Sequence, residues 1–190
     1  MRVFDDEPHH PPRTGGDWQQ HRAHRQAYTG PPRDEVGVLA MSTVVLARRP
    51  DVVVAVRGIT AFTDGLLLSV VGLFADEQSP EDLDWSLQEF SRNPGRFQLG
   101  VVLADGTRAS TGTKAAPDVV QPDTGAVLTL QHARGGVLHC EGEYWLWPLP
   151  PEGGLVVGVR WADRGLEESA VTIDAGPLRQ AAATSRPVWS

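Results

Sequence analysis

Phe97, Leu99, Val101 and Leu103 occupy alternate positions along the chain. A period of two is that of a β-strand with one buried face. Asp105-Gly106 follows, a two-residue turn signal that sends the chain back through 107–113. The returning stretch is almost wholly polar, so it is expected at an edge of its sheet. Val52–Phe62 (VVVAVRGITAF) and Leu66–Ala75 (LLLSVVGLFA) are apolar at successive positions and flank Thr63-Asp64-Gly65. They read as a hairpin whose strands lie inside a sheet, covered on both faces. Val36–Ala47 is a further apolar run that becomes β-branched towards its end. Other strands are expected over Ala126–His132, Val137–Trp147, Leu155–Trp161 and Ser169–Ile173, with a Pro-, Asp- and Gly-rich loop over 114–125.

Two segments break this rhythm. Ser79-Pro80-Glu81-Asp82 combines a serine N-cap, a proline at the first helical position and an acid at the third. Leu83, Leu87 and Phe90 then fall on one helical stripe, and Asn93-Pro94-Gly95 stops it. A short helix over about 80–92 is therefore expected between strands. A second short helix is expected over Ala175–Thr184, capped by Asp174.

Residues 1–35 have low apolar content, five prolines and His9, His10, His21 and His24. They cannot bury enough surface to offset the entropy of ordering and read as a flexible arm, with a helical piece over 17–28. His21 and His24 could share a helical face, but a metal site needs a fixed scaffold, and none is implied there.

Composition narrows the picture. The chain has 190 residues, 41% hydrophobic and 22% charged, with 20 glycines and 15 prolines. That permits a packed core and disfavours a helical bundle. The net charge of −7 argues against a nucleic-acid-binding surface. One cysteine excludes an internal disulfide framework and a Cys-rich zinc site. The longest apolar run, Leu66–Ala75, is about half the ~20 residues of a membrane helix. The amino terminus lacks an apolar signal stretch, so a cytoplasmic location is the expectation.

The stretch FQLGVVLADG (97–106), followed by Thr107-Arg108-Ala109-Ser110-Thr111, resembles one that recurs in uncharacterised actinobacterial β-rich proteins. The block Tyr144-Trp145-Leu146-Trp147-Pro148-Leu149-Pro150-Pro151 and the strand ending in Trp161 are similar to those of the same group. In that comparison Arg134-Gly135-Gly136 is a reduced glycine-rich link and 80–92 an expansion. The resemblance covers roughly 36–190; it implies a fold-level grouping and carries no catalytic residue.

Candidate chemistry concentrates on one strand. Alternation puts Leu138, Cys140, Tyr144 and Leu146 on one face, and His139, Glu141, Glu143, Trp145 and Trp147 on the other. The indoles of Trp145 and Trp147, with Glu143, could offer a stacking platform for a carbohydrate-like ring. His139, Glu141 and Glu143 could chelate a divalent ion and support metal-assisted hydrolysis. The blander reading makes the tryptophans core and the polar trio a wet face opposite Arg57 or Arg160. Cys140 reads as a buried core residue, because His139 points the other way. No nucleophile elbow, phosphate loop, dinucleotide fingerprint or zinc-protease helix is present. The acidic stretch Asp76–Glu89 holds six carboxylates and no basic residue, and Trp85 lies off its apolar stripe. Asp82, Trp85 and Glu89 are therefore candidate interaction residues.

The expected architecture is a single antiparallel β-sandwich over 36–190, immunoglobulin-like in the loose sense, with an inserted helix and a short C-terminal helix. The expected role is a non-enzymatic interaction or assembly module that binds an unidentified protein or itself, without cofactor, nucleic acid or membrane. Ligand binding at Trp145 and Trp147, and hydrolysis at His139, Glu141 and Glu143, are the alternatives.

Overall fold

The period-two pattern is realised as strands in the computed structural model, which describes residues 27–77, 97–111 and 125–189. The strands are β1 (Glu35–Val36), β2 (Val38–Met41), β3 (Val44–Arg48), β4 (Val52–Ala61) and β5 (Leu66–Phe74). After these come β6 (Phe97–Val102), β7 (Arg108–Ser110), β8 (Val127–Gly136), β9 (His139–Trp147), β10 (Gly154–Trp161) and β11 (Leu166–Asp174). The helix α1 (Ala175–Thr184) and the strand β12 (Arg186–Pro187) close the order. The expected inserted helix, with Asp82, Trp85 and Glu89, lies outside the described residues, as do 1–26 of the arm.

The strands form an antiparallel sandwich. A six-stranded sheet runs β2-β4-β5-β9-β8, with β3 pairing the same edge of β4 farther along. A four-stranded sheet runs β11-β10-β6-β7. The β4–β5 hairpin turns at Thr63-Asp64-Gly65, and both strands are interior to their sheet, as their two-sided apolar character requires. The polar β7 is an edge. Gly106, with φ of 85°, and Asp105, whose Oδ1 accepts from Thr107 N at 2.8 Å, make the turn before it. Val36–Ala47, expected as one run, is divided among β1, β2 and β3.

The core fills the space between the sheets. Val54, Val56, Ile59, Leu66, Leu68, Cys140, Tyr144 and Leu146 from one sheet meet Phe97, Leu99, Leu155, Val157, Val159 and Trp161 from the other. Trp161 presents its ring edge-on to Phe97 and Phe74, with centroids 5.2 and 6.0 Å away. Each fully buried side chain of this size contributes about 1.5–3 kcal/mol relative to exposure. Along the seam where β3 meets β11, Ser169 Oγ donates to Leu46 O at 2.6 Å and links the two sheets. The helix α1 begins at Asp174, whose Oδ1 accepts from Gly176 N at 2.9 Å, and buries Leu178 and Ala182 in the core. Glu35 ties three elements together: its carboxylate accepts from Thr63 N, Thr63 Oγ1 and Ser185 Oγ. Among the described residues, no helix is long and apolar enough to cross a membrane.

Candidate functional site

Strand register lays out the outer face of the six-stranded sheet rung by rung. One rung runs Leu39, Thr60, Leu67, Trp145, Thr129. The next holds Gly58, Ser69, Glu143 and His132. The third holds Val45, Ala55, Val71, Glu141 and Arg134, and the fourth Arg48, Val53, Leu73, His139 and Gly136. His139, Glu141, Glu143, Trp145 and Trp147 thus share one side of β9, while Cys140, Tyr144 and Leu146 point into the core.

The upper part of this face is closed. Trp145 is 0% exposed. Its Nε1–H donates to Ala27 O at 2.9 Å, and its ring meets the edge of Phe62 at 5.6 Å. Tyr28 packs edge-on against Trp147 at 6.2 Å, and Gln131 Nε2 donates to Thr29 O at 3.0 Å. The two indoles therefore do not form the open platform expected of them, since Ala27–Thr29 and Phe62 cover this end of the face as a second small core. Glu143 stays exposed one rung away. Alternation determines the side on which a residue projects; whether another segment covers that side depends on tertiary structure.

The middle of the face is polar. Glu141, with its side chain 13% exposed, receives Arg57 Nη2 on Oε1 at 2.7 Å and Arg134 Nε on Oε2 at 2.6 Å. Arg134 is its cross-strand partner on β8. Arg57 reaches it from β4 because the β4–β5 register shifts between Val56 and Gly58, leaving Arg57 as an extra residue in a bulge. Of the two arginines proposed as neighbours, Arg57 is the one that makes the contact; Arg160 instead donates to Gln98 on the other sheet. Burial raises the Glu141 carboxyl, but hydrogen bonding and charge from Arg134 and Arg57 outweigh it and hold the group below its ordinary value.

The same geometry answers the metal proposal. Both Glu141 oxygens face guanidinium groups, which repel a divalent cation from those oxygens. His139 Nε2 stands 4.0 Å from Glu141 Oε1. Among the described residues no three His, Cys, Asp or Glu side chains are placed to hold a metal ion together. Spacing alone suggests the trio; Arg57 is among the arginines expected opposite it, whereas Arg134, the cross-strand partner that claims the other Glu141 oxygen, is not.

Beside the cluster lies a hollow of about 90 Å³, lined by Arg57, Ser69, Arg134, Glu141, Glu143 and His132 among others. Sequence reasoning missed a neighbouring feature. The β8–β9 hairpin turns at Val137-Leu138 rather than at Arg134-Gly135-Gly136, which continue the strand opposite Cys140 and His139. Val137 and Leu138 are 46% and 45% exposed, and Leu73, one rung inward, is 47% exposed. Phe74 N donates to Leu138 O at 2.9 Å and fixes this tip against the end of β5. An apolar pair at a hairpin tip is unusual, because turns favour Gly, Asn and Asp. The signal in the sequence was Val137-Leu138 lying directly after two glycines.

A wider open hollow of about 320 Å³ lies at the seam of β3 and β11, beside Arg48, Arg49, Gly165 and Glu167. Arg49 Nη1 donates to Gly165 O there at 3.0 Å, so its guanidinium staples two loops.

No family model, no curated protein and no solved structure matches the chain.

Proposed function

We propose that this chain is a non-enzymatic protein-interaction module that engages its partner through the lower outer face of the six-stranded sheet. One observation carries the reading. Leu73, Val137 and Leu138 form an exposed apolar tip beside a held pair of arginines, at the end of the outer face of the six-stranded sheet. Arginine next to aliphatic anchors is the chemistry of interface centres, whereas an exposed apolar hairpin tip has no stabilising role within its own fold. The charge balance points the same way. Among the described residues the face holds three arginines, Arg48, Arg57 and Arg134, against two glutamates, Glu141 and Glu143, in a chain of net charge −7. The acidic stretch with Asp82, Trp85 and Glu89 has the opposite character, so a second copy of the chain is a candidate partner beside an unrelated protein.

The test compares immobilised wild type with a Val137→Asp/Leu138→Asp variant, both checked for native near-ultraviolet circular dichroism. Loss of specific capture and of any concentration-dependent self-association in the variant is expected. The idea fails if the variant retains the same partners and the same sedimentation behaviour as wild type.

A further inference from the structure

We infer that the arginine pair is a carboxylate receptor: Arg57 and Arg134, held by Glu141, seat an acidic side chain of the partner in the hollow over Ser69. The inference rests on the interaction reading above and names the chemistry that the face recognises.

Preorganisation is the first argument. Arg57 projects from β4 and Arg134 from β8, and both converge on the Glu141 carboxylate at 2.7 and 2.6 Å. An arginine carries five N–H donors in a planar fork. Arg57 commits Nη2 and Arg134 commits Nε to Glu141. Their side chains are 52% and 67% exposed, so the remaining donors face solvent with their orientation already set.

Charge is the second. One carboxylate neutralises one of two guanidiniums, so a second carboxylate completes the set. Glu143 does not play that part: it lies on the next rung, opposite His132, and makes no ion pair with either arginine among the described residues.

Size is the third. The hollow of about 90 Å³ is well below the roughly 300 Å³ at which ligand pockets begin. It suits one acidic group borne by a larger partner rather than a whole metabolite. The apolar tip, Leu73, Val137 and Leu138, lies along the same face and accommodates an aliphatic or aromatic neighbour of that acid. The preferred segment is therefore acidic with apolar residues interspersed, a chemistry this chain itself carries at 74–90.

The experiment titrates the full chain with a synthetic peptide of residues 74–90, and with a counterpart in which every Asp is Asn and every Glu is Gln. Nitrogen-15 spectra of the arginine Nε–H groups report on the site directly. The Arg57 and Arg134 signals are expected to move with the acidic peptide. Binding is expected to weaken by about tenfold for the amide peptide and for an Arg57→Lys/Arg134→Lys variant, which keeps charge but loses the fork. If both peptides bind equally and only the Val137→Asp/Leu138→Asp variant loses them, the face still docks a partner but the carboxylate inference fails. If the acidic peptide leaves both Nε–H signals in place, the inference fails as well. If it perturbs only amides of β7 or β11, both the inference and the interaction reading fail.

Discussion

Arg57 on β4 and Glu141 on β9 meet at 2.7 Å although β5 lies between their strands. The bulge at Arg57 turns its side chain across the sheet, and Arg134 completes the grip from the opposite side. Three strands are thereby fastened on the outer face through one carboxylate.

Glu141→Gln removes the charge from that grip and is expected to cost about 1–2 kcal/mol, reduced from a buried value because both arginines are half or more exposed. The pH dependence follows from the lowered carboxyl. Its stabilising contribution is complete above the ordinary value of 4.5 and is lost as pH falls below that towards the lower folded value. Urea unfolding of wild type and variant should therefore differ at pH 7 and converge in acid. A difference that persists unchanged at pH 3 would contradict the assignment.

Gly72→Ala should be destabilising by about 1–3 kcal/mol, because a Cβ there would stand 2.9 Å from Cys140 Sγ and 3.1 Å from the Trp161 ring. Cys140→Ala removes the nearer obstacle. The double variant is expected to cost less than the two single changes together, and strict additivity in a double-mutant cycle would show that the clash is relieved elsewhere.

Tyr144 lies back over Gly142, whose absent Cβ would meet the ring at 2.7 Å. Its hydroxyl is buried with no hydrogen-bond partner among the described residues, and burial, then the nearby Cys140, pushes its pKa upward. Tyr144→Phe should consequently leave stability unchanged or raise it by about 1 kcal/mol. A loss of 2 kcal/mol or more would indicate that the hydroxyl is satisfied in solution.

Trp145→Phe removes the indole N–H that holds Ala27 O at 2.9 Å and leaves unfilled space under the covering segment. A cost of about 1–3 kcal/mol is expected. Amide hydrogen exchange should accelerate first at residues 29 and 30, with the β4–β5 core amides retaining their protection. Uniform acceleration across the sheet would argue against a separate small core.

Much of the architecture was legible because it depends on local pattern. Thr63-Asp64-Gly65 marked a hairpin, Asp105-Gly106 a second, and Asp174 a helix start, and each is where backbone geometry needs those residue types. Alternation also put Cys140, Tyr144 and Leu146 on the core side of β9 and His139, Glu141, Glu143, Trp145 and Trp147 on the other, but Leu138, expected on the core side, lies in the turn and is 45% exposed. The β8–β9 turn was misplaced for a physical reason. Glycines signal a turn, but pairing of Gly135 with Cys140 and Gly136 with His139 extends the ladder past them and leaves Val137-Leu138 to make the reversal. The strand β11 likewise begins at Leu166, earlier than Ser169, because Gly165 with φ of 60° turns the chain ahead of it.

Strand periodicity, the main turns and the helix cap follow from neighbours within a few positions, and the acidic balance from composition, so all of them are present in the linear chain. Which projecting residues meet water depends instead on long-range packing. Residues distant in sequence bring Ala27 and Phe62 over Trp145, Arg57 onto Glu141, and Leu73 beside the hairpin tip. Coverage and ion pairing depend on those long-range approaches, which a period of two does not encode.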